Sequence, residues 1–298
     1  MPVFGEWSGE DVSIAQVEHA IANLRHAEQE DRAHGLRTTM LTHIAWVPPD
    51  WEQQAAEVRA GLGGRQPSRV IVLRPDPDAD ADRIDAHVAL ECFDLPEIER
   101  GVSAEVIELR LLGRLCVAPA SVVAPLLMAD LPVFIRWRGR PPFAGETFEQ
   151  LLHVIDRLVV DSVEWPDVPE AYAELARIFD EAACSDIAWR RTHRWRVALA
   201  GLWPEIAEIS ELNVTGPVAE AYLLAGWLRS RLDREVELVH ADADTVVEVH
   251  ADGRRAVPTH DDAATPSDLL SAELDVLERD RVYEAAAVAA AALTPLAA

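Results

Sequence analysis

Three residue types could carry chemistry in this 298-residue chain: three cysteines, ten histidines and an arginine set concentrated in two places. Lysine does not occur, so every base is arginine, and Schiff-base chemistry, a lysine general base and a phosphate-loop lysine are all excluded. The cysteines, Cys92, Cys116 and Cys184, are odd in number, and no two form a Cys-x-x-Cys redox or zinc pair. A thiolate nucleophile needs a base or a helix N-terminus to lower its pKa. Cys92 and Cys116 lie in apolar, strand-like contexts and read as small core residues. Cys184, between a helix end and Asp186, is the one expected to be exposed.

His19 and His26 are seven apart on one helical face and, with Glu30, could hold a metal; a solvated helix face is the simpler expectation. His240 and His250 each begin a His-Ala-Asp triplet, which a hairpin could bring together, but Asp at a turn needs no metal to explain it. No metal and no cofactor is expected. A Gly-x-Gly-x-x-Gly turn after a strand is absent, since Gly61, Gly63 and Gly64 precede the apolar strand Arg69–Leu73 rather than follow it. No Gly-x-Ser-x-Gly elbow occurs either. The enzyme reading is therefore disfavoured, and no catalytic residue is assigned.

Charge carries more information. Fifty-two acidic residues against 27 basic ones give a net −25, a field that repels nucleic acid and anionic membranes. Two windows run against it. Residues 131–143 hold Arg136, Arg138 and Arg140 with no acid, and residues 186–196 hold Arg190, Arg191, Arg194 and Arg196 against Asp186 alone. Trp137, Trp189 and Trp195 are interleaved among them. Trp and Arg dominate interface energetics because both cover large areas and still make polar bonds. Arg136, Arg138, Arg140, Trp189, Arg194 and Arg196 are accordingly the candidate partner-binding residues. The alternative is that the tryptophans are core and the arginines neutralise surrounding acids. A further alternative is a small-molecule enzyme or sensor, binding a sugar phosphate or nucleotide, with its anion held by Arg136 and Arg138.

These windows must be positioned by a layered α/β framework. Ser13 and Gln16 form a capping box for a helix that ends near Gly35. Strands are expected at 37–47, 69–73, 86–93, 104–112, 133–137 and 158–161, with helices at 51–61, 118–128 and 146–156. Pro125 should shorten or kink the second of these helices. Alternation along an extended strand at 133–138 puts Arg136 and Arg138 on the face of Phe134, opposite Ile135 and Trp137. The pattern predicts a mostly parallel or mixed sheet flanked by helices, followed by a smaller α+β domain. The boundary is placed in the acidic, proline-bearing stretch 162–169, giving domains 1–163 and 164–298. In the second, helices are expected at 170–183 and 187–202, a strand at 208–214, a helix from 217, and a hairpin pairing 235–240 with 245–250. The chain has no signal-peptide pattern and no apolar run near the ~20 residues of a membrane span, so a cytoplasmic location is expected.

The same windows carry a resemblance. Ala118–Gly139 (APASVVAPLLMADLPVFIRWRG) is similar to a stretch of the glucose-6-phosphate dehydrogenase assembly protein OpcA family. Further pieces follow in order: Gln66-Pro67-Ser68-Arg69, Arg157–Ser162, Asp186–Arg196 and the Leu-Leu-Ala-Gly-Trp-Leu run at 223–228. Gln66 stands where the family has histidine, and Arg191-Thr192-His193-Arg194 is more basic than the family pattern. None of the cysteines matches a regulatory position. The resemblance implies a non-catalytic protein that binds glucose-6-phosphate dehydrogenase and favours its active oligomer, so gating the oxidative pentose phosphate pathway.

Overall fold

A computed structural model describes residues 3–31, 39–62, 68–94, 101–259 and 264–294. The positions read as Gly35 and Gln66, and the side chain of Cys92, lie outside the described residues. The chain divides into two compact units, Met1–Leu158 with Pro266–Asp275, and Val159–Thr265 with Val276–Ala298.

The first unit begins with β1 (Val3–Gly9) and α1 (Ile14–Asp31), followed by β2 (Leu41–Trp46) and α2 (Glu52–Leu62). The cap of α1 is reciprocal, as its sequence requires: the Ser13 backbone N–H donates to Gln16 Oε1 at 2.8 Å, and the Gln16 N–H donates to Ser13 Oγ at 3.3 Å. Next come β3 (Ser68–Asp76), β4 (Ile84–Asp94) and β5 (Gly101–Leu112). Pro125 does shorten the helix that follows, which is only α3 (Pro119–Val123) and a 3-10 turn, before β6 (Val133–Trp137), α4 (Glu146–Leu152) and β7 (Arg157–Val160).

The second unit continues through α5 (Val168–Leu175), β8 (Ala183–Asp186), α6 (Ile187–Arg191) and α7 (His193–Ala200). After β9 (Glu211–Thr215) comes the buried helix α8 (Val218–Leu232), then β10 (Glu237–Ala241), β11 (Glu248–Ala251) and β12 (Arg254–Arg255). Helix α9 (Pro266–Leu274) belongs to the first unit, and α10 (Arg281–Ala291) packs on α8 in the second.

The large sheet has eight strands in the order β1-β4-β5-β3-β2-β6-β7-β8, and the smaller has four, β10-β9-β11-β12. In the large sheet β2 pairs in parallel with both β3 and β6, β3 pairs in parallel with β5, and β4 runs antiparallel to β1 and β5. The fold is thus α/β with a mixed sheet, as the alternation of elements predicts. Chain direction across the sheet reverses at β2: α2 leads to β3 on one side, and the connection through α3 leads to β6 on the other. The two crossovers cover opposite faces, as right-handed connections in opposite directions require. Trp46 and Trp137 stack at 4.7 Å and Phe148 of α4 meets Trp137 edge-on at 5.2 Å, so that face is an aromatic core. Ala55 and Trp51 pack on Val47, Val70, Val72 and Val106 across the other.

Two expectations, the hairpin of 235–250 and an exposed Cys184, are corrected. Residues 235–240 and 245–250 do not form a hairpin: β10 and β11 flank β9, parallel and antiparallel to it respectively. His240 aligns with Val214 and His250 with Asn213, so the two rings emerge from opposite faces two strands apart and cannot share a metal. Cys184 is 1% exposed on β8, a strand too short to be read from its four residues.

Candidate functional site

The arginine–tryptophan windows form two separate clusters, one in each unit. In the first, every residue of β6 is buried, because the strand is covered on both faces. Trp137 joins the aromatic core. Arg136 and Arg138, on the face of α2, are 2% and 9% exposed. The Arg136 guanidinium donates to the Trp137 carbonyl, and the Arg138 N–H donates to the Trp46 carbonyl at 3.1 Å. Both positive charges lie near His43 on the neighbouring strand. Burial first, and then Arg136 and Arg138, lower the His43 pKa to about 4, so the ring is neutral at pH 7. Gly139, two residues past the strand, takes φ +73°, and the Arg140 guanidinium that follows lies 5.9 Å from the Phe143 ring.

In the second unit, Asp186 caps α6, accepting from the N–H groups of Ala188 at 2.9 Å and Ser162 at 3.0 Å. Tyr283 donates to its other oxygen at 3.4 Å, and Tyr172 donates to Ser162 at 2.7 Å. Burial, reinforced by the nearby Asp161 charge, raises the Asp186 carboxyl to about 7. Arg191 grips Asp161 with two bonds of 2.5 and 3.0 Å and Glu220 with one of 2.6 Å. Burial opposes its charge, but these two carboxylates outweigh that and hold it above its ordinary pKa.

Trp189 is 5% exposed; its indole N–H donates at 2.8 Å to Asp280, which itself caps α10. Arg196 stacks over the Trp189 ring at 3.4 Å and donates to Thr192 Oγ1 at 3.2 Å. Burial lowers its pKa to about 10, despite Asp280 nearby. Arg194 is half-buried, 5.5 Å from the Trp195 ring, and donates to the Val246 carbonyl at 3.3 Å. Structure therefore places Arg136, Arg138 and Trp189 in interiors, while Arg140, Arg194 and Arg196 reach towards the surface.

Two residues escaped the sequence reading. His43 sits in a β-branched strand and looks like any core histidine. Trp203 is 67% exposed, in the turn after α7. His193, Val197 at 53%, Ala200 and Pro204 are exposed along the same segment, four, three and four residues apart, and Val197, Ala200 and Pro204 leave an apolar stripe on the outside. The signal was available: a tryptophan between Gly201 and Pro204 has no continuing helix to carry it into a core.

Among the described residues no group of three His, Cys, Asp or Glu side chains is placed to hold a metal ion, and no helix is long and apolar enough to cross a membrane.

Comparison with known proteins adds two findings. Residues 60–177 match the family described as glucose-6-phosphate dehydrogenase subunit N-terminal domain, and residues 182–287 match the corresponding C-terminal domain. The chain is also similar to proteins provisionally named OxPP cycle protein OpcA. It is 25% identical over 182 residues to that of Synechocystis sp., covering 57% of this chain and 38% of the relative. The relative from Nostoc punctiforme is 24% identical over 180 residues, with the same coverage, and that from Synechococcus elongatus is 25% identical over 182 residues, covering 41% of its length. The match thus spans about two fifths of these relatives.

Proposed function

This chain belongs to the OpcA family, with both glucose-6-phosphate dehydrogenase subunit domains present in order, and from that premise we propose that it binds glucose-6-phosphate dehydrogenase and promotes that enzyme's assembly into the active oligomer. The family names point to an accessory subunit rather than a catalyst. The chain acts by binding alone. A protein that holds the assembled enzyme more tightly than its other forms shifts the population by that difference in affinity and no more. A hundredfold preference, about 2.7 kcal/mol, converts a largely inactive pool into a largely assembled one.

The observation that carries the proposal is the exposed Val197–Trp203 stripe beside Arg194, inside the family's C-terminal match. A monomer surface gains nothing from a tryptophan in water, whereas a partner pocket does. Arg194, Arg196 and Arg140, the more accessible members of the arginine windows, supply charge for carboxylates on the enzyme. Arg136, Arg138 and Trp189 act from beneath by holding the framework.

The test compares wild type, Trp203→Ala and Arg194→Ala for stimulation of the dehydrogenase from the same organism. Trp203→Ala should lose about 2 kcal/mol of binding, roughly thirtyfold, with little change in melting temperature, because an exposed side chain contributes little to the fold. Stimulation equal to wild type in both variants removes this face from the account.

A further inference from the structure

We propose that the first unit also binds a phosphate group, either free or as the head of a small phosphate ester, in a cavity between α2 and the large sheet. This inference does not depend on the partner reading. The cavity measures about 70 Å³, room for one oxyanion or a few water molecules.

Its walls follow from register. Strands β2, β3 and β6 are parallel, with Ala45 opposite Val72 on one side and Arg136 on the other, so His43, Ala45, Val70, Val72, Arg136 and Arg138 share one face. Helix α2 lays Glu52, Ala55, Ala56 and Arg59 over it, positions spaced three and four apart. The location is where the strand order reverses, between β2 and β6. The cavity lies on the face that α2 covers, adjoining that reversal, with Val47, Arg74 and Arg138 at the carboxyl-end side of its wall.

The chemistry of the lining selects the ligand. Arg59, Arg74, Arg136 and Arg138 line the cavity together with Glu52 and Glu108, so guanidinium groups outnumber carboxylates in its wall. Glu108 is already engaged, 2.8 Å from Arg74 and 3.7 Å from Arg59. Arg59 also meets Glu91 at 2.6 Å. Planar guanidinium groups in fixed positions suit the oxygens of a phosphate, whose second ionisation lies near pH 6. His43, 4% exposed, lines the same cavity, and its Nε2 has no hydrogen-bond partner. A buried polar nitrogen left unsatisfied is costly. Neutral at pH 7, the ring can offer one N–H to an anion while the arginines supply the charge. Ala45, Val70 and Val72 give an apolar wall that excludes water and strengthens these bonds.

Calorimetric titration of the full chain with inorganic phosphate, and separately with methyl phosphate, at constant ionic strength and pH 7.5, tests the site. Expected is saturable binding of one anion per chain, weaker at pH 5.5 where the monoanion predominates. Binding of methyl phosphate identifies an ester site, and binding of inorganic phosphate alone a free-phosphate site. Ala55→Leu fills the cavity without changing charge, and Arg138→Gln removes one cation while keeping a polar side chain. Each should weaken binding at least tenfold with an unchanged circular dichroism spectrum. If one variant fails to fold, the other decides. Absence of saturable binding with both anions, or wild-type affinity in a folded variant, overturns the proposal.

Discussion

Replacing Asp186 by Asn probes the most strongly perturbed carboxyl of the second unit. The side chain is 1% exposed and near Asp161, and burial with that charge moves it from its ordinary 3.8 to about 7. Buried Tyr172 and Tyr283 surround it, while Arg191 is committed to Asp161 and Glu220. Below the unfolded pKa both states carry the proton. Between that value and about 7 only the folded state keeps it, so the group's contribution to stability falls as pH rises through the window and is constant above it. The full window is worth about 4 kcal/mol. His43 works in the other direction: its folded pKa of about 4 lies below the ordinary 6.5, so its contribution is lost as pH falls through that range. The wild-type profile mixes the two, and the difference between wild type and Asp186→Asn isolates the carboxyl. Asn retains an oxygen that accepts from Ser162 and Ala188, and its amide can donate to the Tyr283 hydroxyl. From pH 5.5 to 8 the variant should gain about 2 kcal/mol relative to wild type, measured by urea unfolding at several pH values. A difference independent of pH would mean that the carboxyl titrates alike in the folded and unfolded states, and that burial does not raise its pKa.

Two other perturbations test the packing. Gly226 lets α8 and α10 approach so closely that an added Cβ would stand 2.3 Å from the Ala286 carbonyl oxygen and 2.7 Å from the Ala290 nitrogen, so Gly226→Ala should cost about 1–3 kcal/mol in thermal or urea unfolding despite its better helix propensity. Arg191→Ala leaves Asp161 and Glu220 without their shared cation in a buried setting and should cost about 3–5 kcal/mol in the same assay, more than any exposed arginine.

Local signals in the sequence were strong where one physical rule acts alone. The Ser13–Gln16 cap, the apolar β3 and the five residues of β6 were read correctly because period and capping fixed them. Strand β1 was missed because its residues are half-exposed, paired only to β4, and show no buried run. Strand β8 was too short to carry a period. The false hairpin arose because Ala241–Asp244 has turn chemistry, while the pairing was set by β9, thirty residues earlier. At the site, alternation correctly predicted that Arg136 and Arg138 share a face opposite Trp137. That this face would be buried beneath α2 and converge on His43 depended on three parallel strands in register, a long-range fact without a local signature.

Assembly is read from the mass of glucose-6-phosphate dehydrogenase, diluted until its oligomer dissociates, with and without this chain, followed by light scattering while activity is recorded. Expected are a complex containing both proteins, a shift of the enzyme to its larger assembly, and activity rising in proportion. An enzyme whose mass and rate are both indifferent to the added chain would contradict it.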